Sequence, residues 1–486
     1  MPGVLTFNSP QPDGHAFAPR IGLAYSPGSA GKTSIRAGFG LAYDVLFDNI
    51  GTVSTPPELS STIDYTNGSN PALSAYNALH FLATGGIPPN AAGGAGLTPA
   101  KARSVTSAYF PDQNLPYSIN YTLSVQHVFA NNYTLEVRYV GTRGVHLVFQ
   151  EQLNKYTNIT PTQNIPTYLA APGLSTLASL PYTVGALRSL GNILPLYASA
   201  GFTNLITTYQ PEGSSTYNGL DLQVTRRFNN GLQFLAAYTW SHNLDNSTSE
   251  FATTYLTPRR AQDSQNLRPE WGNSALDHRH RFTFSAVYDA PWFKAKDNRF
   301  VKNLAGNWEF APIYTFESGG YYTPQSGIDS NLNGDSAPDR VIVNTTGVAG
   351  TGSGVYGLTQ TGSVVPTNST TAQINSVVAW VALNPNTRYI QAGYGAYANS
   401  GRDIQTSRPI NNVDLSLLKR FTIRERYNLQ IIGQALNLFN HPQFIPGSVN
   451  NVAAVGTANS SSLQFVNVSN AAFNNSTQAF SSNPRV

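Results

Sequence analysis

The sequence from Tyr117 to Phe129 reads YSINYTLSVQHVF, and the turn ANN leads from it into YTLEVRY at Tyr133 to Tyr139. Apolar and polar side chains alternate in both segments, with His127 as the one exception. Because successive side chains of a β-strand point to opposite faces, each segment has one apolar face and one polar face. The stretch therefore predicts an antiparallel β-hairpin with two chemically different sides.

The same alternation occurs in five places along the chain. Asn230 and Gly231 supply a second tight turn, where glycine offers the positive φ that short hairpins need. Pro312 interrupts one segment, since proline cannot donate to a strand ladder. Each segment of about ten residues is long enough to cross a bilayer as a tilted strand. The predicted strands cover roughly residues 17–26, 33–44, 117–129, 133–141, 219–228, 232–241, 281–289, 308–318, 413–422 and 427–439.

The connections between these strands are short within a hairpin and long between hairpins. The one longer connection within a hairpin covers residues 290–307, whereas those between hairpins cover 45–116, 142–217, 242–281 and 319–412. Outer-membrane barrels alternate in this way, with short periplasmic turns and long extracellular loops. A soluble sandwich is the alternative, and it would need a second sheet over the apolar face. We therefore expect an all-β chain that forms an antiparallel transmembrane β-barrel portion of about ten strands in five hairpins.

The composition excludes several other classes of protein. Only 11% of the 486 residues are charged, against about 25% in ordinary soluble domains. No run of apolar residues approaches the length of a helical membrane span. The net charge of +4 is spread along the chain, which argues against nucleic-acid binding, and the lack of cysteine excludes thiol chemistry. Since no nucleophile elbow, phosphate-binding loop or dinucleotide motif is present either, we do not expect an enzyme.

Several short motifs together resemble one family of barrels. They are FAPRIGLAY (17–25), IRAGFGLAYD (35–44), YNGL (217–220), YTWS (238–241), DHRHRF (277–282), DLSL (414–417) and NLFNHPQF (437–444). In this order they resemble the C-terminal half of the barrel of TonB-dependent receptors of the Oar type, which often carry an N-terminal carboxypeptidase-regulatory-like domain.

The resemblance implies a transporter in the outer membrane of a Gram-negative bacterium, energised from the inner membrane. Such receptors have a plug domain, an N-terminal box that contacts the TonB complex, and a barrel of about 22 strands. The chain has ten predicted strands and no export signal, plug or box that we recognise. We therefore expect part of a larger barrel that contacts membrane lipid, the remaining strands and a plug, and that carries an unknown ligand. A surface-exposed binding or adhesion protein and a small self-contained channel remain the alternatives.

One segment resembles the beginning of an EF-hand calcium loop. The sequence DSNLNGDSAPDR has oxygen-bearing residues at positions 1, 3, 5 and 7 and glycine at position 6, as calcium loops do. Arg340 occupies position 12, where an EF-hand has a bidentate glutamate, and Asp339 could compensate. We expect either a polar turn or a calcium site, and no other cofactor. The candidate ligands are Asp329, Asn331, Asn333, Asp335 and Asp339.

Two further sets of residues are candidates for contact with a transported ligand. Tyr321 and Tyr322 precede Pro324 in a long loop, where they could contact a ligand. The tract of residues 347–371 is rich in glycine, serine and threonine and is expected to be loop, as is the tract 450–482. The polar side chains expected to face the interior of the barrel are Glu136, Arg138, Gln223, Thr225 and Arg227.

Overall fold

The computed structural model describes residues 4–5, 14, 16–44, 100, 103, 108–109, 114–130, 132–248, 260–293, 299–423, 427–441, 466–471 and 473–474. One antiparallel sheet dominates these residues, and ten of its strands follow each other in chain order. They are β1 (Arg20–Tyr25), β2 (Thr33–Tyr43), β3 (Tyr117–Phe129), β4 (Tyr133–Gln152), β5 (Thr207–Asn229), β6 (Leu232–Asp245), β7 (His280–Asp289), β8 (Trp308–Glu317), β9 (Ile410–Ile423) and β10 (Tyr427–Ala435).

The alternating residues keep the same register across the whole sheet. Directly opposed residues of antiparallel strands lie on the same face. One row across the sheet is therefore apolar, and it consists of Leu23, Ala37, Leu123, Tyr139, Leu220 and Trp240. The next row is polar, and it consists of Arg36, Ser124, Arg138, Asp221, Thr239, Arg281 and Glu317.

The apolar face of the sheet is open. Leu123 is 51% exposed and Ile431 is 55% exposed, although both lie within strands. Within the described residues, no second sheet packs on this face, and the other sheets have two to four strands. The buried apolar clusters lie instead in the long connections between hairpins and in the chain near them. A β-sandwich is therefore excluded for the described residues.

Two local features of the strands have a clear chemical cause. Asn230 and Gly231 both have positive φ, and a Cβ on Gly231 would lie 2.5 Å from the carbonyl oxygen of Asp289. Pro312 lies within β8, where the β7–β8 ladder passes from Ser285–Ile313 to Tyr288–Phe310 without a pair between them. The proline has no N–H to donate, so it removes rungs from the ladder without shifting the register.

The strands β4 and β5 are much longer than the alternation predicts. β4 extends to Gln152 rather than 141, and β5 begins at Thr207 rather than 219. The β4–β5 pairing is irregular around Leu147, where a Cβ on Gly213 would lie 2.5 Å from the Leu147 carbonyl oxygen. These extensions leave the alternating part of the sheet and become buried among the long connections, as Phe149 at 1% exposure shows.

The long connections form a folded cap above the sheet. Trp380 is fully buried at its centre and donates its indole N–H to the Tyr394 carbonyl at 3.0 Å. The cap helices are Leu174–Ser179, Val184–Arg188, Pro195–Ser199 and Thr371–Asn375, and a 3₁₀ turn covers Arg268–Glu270. Its strands are Thr167–Tyr168, Tyr321–Tyr322, Ile342–Val343, Val348–Ser353, Val355–Thr359, Val364–Pro366, Val377–Ala382, Thr387–Ile390 and Gln405–Thr406.

The cap corrects one expectation from the sequence. Residues 347–371 are not loop, because Val355–Thr359 pairs on both sides, with Val364–Pro366 and with Val377–Ala382. The tract 450–482 lies almost entirely outside the described residues. Two short strands, Ala108–Tyr109 and Gly272–Asn273, pair with β5 and β6, respectively. The helix Arg299–Ala305 lies in the β7–β8 connection. None of the described helices is long and apolar enough to cross a membrane.

The two outer strands of the main sheet each have a single neighbour among the described strands. β1 pairs with β2 alone, and β10 pairs with β9 alone. The path of ten strands thus has two open edges and does not close on itself within the described residues. Each edge presents backbone N–H and C=O groups to whatever lies beside it.

Candidate functional site

The polar face of the sheet brings together most of the residues predicted to face the interior. Glu136 lies opposite Gln223, and Arg138 donates from Nε to Glu136 Oε1 at 3.1 Å. Gln223 donates to Thr225 Oγ1 at 3.3 Å. Arg227 lies further along the same strand and is exposed near the short turn. Four of these side chains, Glu136, Arg138, Gln223 and Thr225, therefore form a connected polar surface on one side of the sheet, and Arg227 lies at its edge.

The register adds charged residues that the sequence patterns do not single out. Asp221 lies opposite Arg138, and its carboxylate accepts a hydrogen bond from Thr239 Oγ1 at 2.8 Å. On the next strands, Arg281 Nε lies 3.3 Å from Glu317 Oε2. The polar row thus brings basic and acidic side chains next to each other at two places, Arg138 beside Asp221 and Arg281 beside Glu317. Cross-strand pairing links these residues, so one strand alone does not reveal them.

The predicted calcium segment folds as a tight loop that is largely buried in the cap. Each polar side chain at positions 3, 5 and 7 accepts a hydrogen bond from the backbone N–H two residues further on. Asp329 Oδ2 accepts from the Gly334 N–H at 3.0 Å, and Asp339 Oδ2 accepts from the Ser330 N–H at 2.5 Å. The side-chain oxygen atoms of the loop therefore point towards its own backbone and accept hydrogen bonds from its N–H groups.

Three oxygen atoms in this loop are buried without a hydrogen-bond partner among the residues that the structure describes. They are Oδ1 of Asp329, Oγ of Ser330 and Oδ1 of Asp339. Burial and the nearby carboxylates of Asp329 and Asp335 raise the pKa of Asp339 well above its usual value. Burial also raises the pKa of Asp329. The loop thus concentrates carboxyl groups at a place from which water is largely excluded, where they carry negative charge only if a cation compensates it.

Basic side chains lie around the loop, but they do not pair with each of its carboxylates. Arg260 forms an ion pair with Asp335, donating from Nη2 to Oδ1 at 3.0 Å. Lys155 Nζ donates to Asn192 Oδ1 at 3.3 Å and lies near Gly334. Burial lowers the pKa of Lys155, which weakens it as a counter-charge. Among the carboxylates of the loop, Asp335 alone forms an ion pair in the described part of the chain, while the more distant charge of Arg188 partly offsets the effect of burial on the pKa of Asp329.

A cavity of about 180 Å³ lies beside this loop. Arg340, the residue at position 12 of the calcium-like motif, forms a buried ion pair with Glu270 on the cavity wall. Burial raises the pKa of Asp263, which also lines the cavity. The other lining residues include Thr157, Asn331, Tyr397 and Asn399. The cavity is large enough for a few water molecules or a small polar group.

The two tyrosines predicted to contact a ligand occupy different environments. Tyr322 is fully buried and packs with Val466, so direct contact with a ligand from solution is not possible in this conformation. This corrects the expectation for Tyr322. Tyr321 is partly exposed, and its hydroxyl lies 3.5 Å from Arg279 Nη2. The expectation for Tyr321 stays a prediction.

A buried arginine joins the cap to the top of the sheet. Arg402 is 4% exposed and donates from Nη1 to Asp403 Oδ2 at 3.0 Å. Its Nη2 atom contacts the Asp245 carboxylate at the end of β6, and its Nε donates to the Glu270 carbonyl at 2.9 Å. The three partners lie far apart in sequence, so no local motif could have identified this site.

Residues 6–473 match the family described as outer membrane beta barrel domain. No curated protein matches the sequence.

Several solved structures are similar over most of the chain at very low sequence identity. The outer membrane transporter YddB from Escherichia coli is 8% identical, with 89% of this chain and 38% of that chain covered and a TM-score of 0.37. The ferripyoverdine receptor of Pseudomonas aeruginosa is 8% identical, with 87% and 29% covered and a TM-score of 0.33. The FrpB iron transporter from Neisseria meningitidis is 8% identical, with 87% and 35% covered and a TM-score of 0.33. The chain thus spans well under half the length of each.

Proposed function

Since this chain belongs to the family of outer membrane β-barrel domains and lies in the outer membrane, we propose that it forms part of the barrel of a TonB-dependent receptor of the Oar type. In this role its strands form the C-terminal part of the wall, a plug and further strands complete the transporter, and the inner-membrane TonB complex supplies the energy. The motifs from FAPRIGLAY to NLFNHPQF support the assignment to the Oar type.

The observation that carries the proposal is the division of the sheet into two faces. The apolar row through Leu123 and Tyr139 is exposed, as expected for side chains that contact lipid. The row through Arg138, Asp221 and Arg281 is polar and contains both basic and acidic side chains, as expected for the wall of a water-filled interior. A ligand passing along this wall would find both donors and acceptors.

The open edges support the view that further strands complete the wall. Each unpaired backbone group exposed to hydrocarbon costs several kcal/mol. β1 and β10 each present one such edge among the described residues. Pairing with additional strands would satisfy both edges and leave no backbone group in contact with lipid.

The small self-contained channel can be separated from this proposal by conductance. We expect the purified chain alone to give no stable ion conductance in a planar lipid bilayer, because the wall formed by its described strands does not close. A self-contained channel would give discrete, reproducible steps of conductance. Such steps would contradict the assignment to a larger barrel.

Transport can be separated from adhesion in cells that express the full-length gene product. Cells with and without a functional TonB complex are supplied in turn with radiolabelled ferric complexes, corrinoids and oligosaccharides. We expect one class of compound to accumulate only when the TonB complex is present, whereas binding at the cell surface persists without it. Accumulation that does not depend on TonB, or binding to surfaces without any uptake, would contradict the proposal.

The orientation in the membrane can be tested with single cysteines, because the chain contains none of its own. Ser175 lies exposed in the cap helix Leu174–Ser179, and Ser29 lies exposed in the short turn between β1 and β2. We expect a membrane-impermeant maleimide to label Ser175→Cys on intact cells. Ser29→Cys, the matched control, should react only after the outer membrane is permeabilised. Labelling of Ser29→Cys on intact cells would mean that the barrel is inverted or is not inserted.

A further inference from the structure

We propose that the loop of residues 329–339 binds one calcium ion, held by the carboxylates of Asp329 and Asp339 and completed by neutral oxygen atoms of the same loop. The site would lie in the cap and is independent of what the barrel transports. Three features of the loop support it: oxygen atoms without donors, unbalanced charge and the chemistry of the available ligands.

The oxygen atoms without donors are the most direct observation. Asp339 is fully buried, its Oδ2 accepts from the Ser330 N–H, and its Oδ1 has no hydrogen-bond partner within the described part of the chain. Asp329 Oδ1 and Ser330 Oγ are also buried without a donor. A buried acceptor without a partner costs about 1–3 kcal/mol, and more when it is charged. The charges of Asp329 and Asp339 act on each other, so the two carboxyl groups lie near one another, and a cation bound between them would give the Oδ1 atom of each a partner.

The charges of the loop favour a divalent ion. Asp335 is already paired with Arg260. The carboxylates of Asp329 and Asp339 remain, and together they match the charge of one divalent cation. The charges of Lys155 and Arg188 both act on Asp329, yet Lys155 donates to Asn192 and Arg188 donates to Asn375. Within the described residues, neither cation forms an ion pair with Asp329. The carboxylates of Asp329 and Asp339 are therefore not neutralised by an ion pair in the described structure, and a metal ion would be their principal counter-charge.

The ligand chemistry selects calcium among the divalent ions. Every side chain of the loop that could bind a metal offers oxygen, and calcium accepts six to eight oxygen ligands, including neutral amide and carbonyl groups. Among the described residues, no three histidine, cysteine, aspartate or glutamate side chains converge as a ready-made metal cluster. The ion would thus rely on two carboxylates and on neutral oxygens, a mixture that suits calcium better than zinc or magnesium.

The position of the loop gives the ion a structural role. Asn331 and Asn333 both donate to the Gln262 carbonyl, at 2.6 Å and 3.1 Å. Thr157 Oγ1 donates to the Asn331 carbonyl at 2.5 Å. One ion in this loop would therefore stabilise the contact between three long connections and the wall of the cavity. We infer that calcium holds the cap in the conformation that forms this cavity.

The test measures calcium binding by isothermal titration calorimetry on the purified full chain after treatment with a chelator. We expect one site with a dissociation constant in the range of about 10⁻⁴–10⁻³ M, as in extracellular calcium modules, and much weaker binding of magnesium. Calcium should also slow proteolysis of the cap by at least several fold. Absence of binding heat and of protection at 10 mM calcium, roughly ten times the upper end of that range, would overturn the proposal.

Matched aspartate variants place the site. Asp339→Asn and Asp329→Asn each remove one negative ligand, and each should weaken calcium binding at least tenfold. Asp263→Asn is the control, because Asp263 is also largely buried in the cap but lies outside the loop. It should bind calcium as the wild type does. Wild-type affinity in both loop variants would overturn the proposal, and should one of them fail to fold, the other variant and the wild-type titration still decide.

Discussion

Replacement of Arg402 by methionine will unfold the cap while the membrane sheet stays intact. The guanidinium group is the shared partner of Asp245 and Asp403, both of which are at most 5% exposed at the side chain. Without it two buried carboxylates lose their counter-charge, and the loss of one partner of a buried ion pair costs about 3–5 kcal/mol. This is a large part of the stability of a small folded unit, which is about 5–15 kcal/mol. Methionine keeps much of the length of the side chain, so the effect reports the lost charge and hydrogen bonds.

Hydrogen exchange and limited proteolysis of the purified protein in detergent measure this effect. We expect peptides from residues 320–406 to exchange much faster in Arg402→Met, whereas peptides from β3 and β6 stay protected. Arg388→Met is the control, because Arg388 is partly exposed and its guanidinium group donates to the carbonyl oxygens of Asn344 and Thr345. It should change exchange little. Equal protection of the cap in Arg402→Met and the wild type would show that the network contributes little to stability.

The strands of the main sheet could be predicted because the alternation of apolar and polar residues within each strand reflects the two different environments on its two faces. In β3 every second residue meets the same side of the sheet, so the sequence from Tyr117 to Phe129 contains the whole signal. The extension of β4 from 142 to Gln152 could not be predicted in this way. Above the alternating part, both faces meet protein, and side chains such as Phe149 and Gln150 are buried together. The alternation of apolar and polar residues is lost where both faces of the strand have the same environment.

The cap illustrates the opposite case, in which composition misleads. Val355–Thr359 lies in a tract of glycine, serine and threonine and becomes a strand because Val377–Ala382 pairs with it. That partner is fully buried and lies about twenty residues further along the chain. A strand whose stability comes from a distant partner leaves little trace in its own composition.

The candidate sites differ in the same way, because some are formed by neighbouring residues and others by residues far apart in the sequence. The oxygen-bearing residues of the loop at Asp329 follow each other at fixed spacing, so the motif was visible in the sequence. Its partners were not visible, since Arg260 reaches Asp335 from another connection. Arg402 and the polar row through Asp221 depend wholly on contacts between distant segments. Candidate residues that share one loop can thus be recognised in the sequence, whereas sites that the fold assembles from distant segments cannot.

Replacement of Leu123 by arginine will strongly destabilise the sheet in the membrane. Leu123 is the middle residue of β3, its side chain is half exposed, and it lies in the apolar row between Ala37 and Tyr139. An arginine on the lipid face near the middle of the bilayer costs about 2–4 kcal/mol. Because the cost arises only in lipid, this variant tests directly which face of the sheet meets the membrane.

Thr122→Arg is the matched control, one residue away on the other face. Thr122 is exposed on the polar face, opposite Gly38 and Val140, where a charged group would remain in water. Urea unfolding from lipid vesicles should show a change within about 0.5 kcal/mol for Thr122→Arg, as for an ordinary surface substitution. If Leu123→Arg and Thr122→Arg cost the same, the apolar face would not be in contact with lipid, and the adhesion reading would replace transport. A large difference in the expected direction cannot arise from a soluble sheet with both faces in water, since arginine is then accommodated equally on either side.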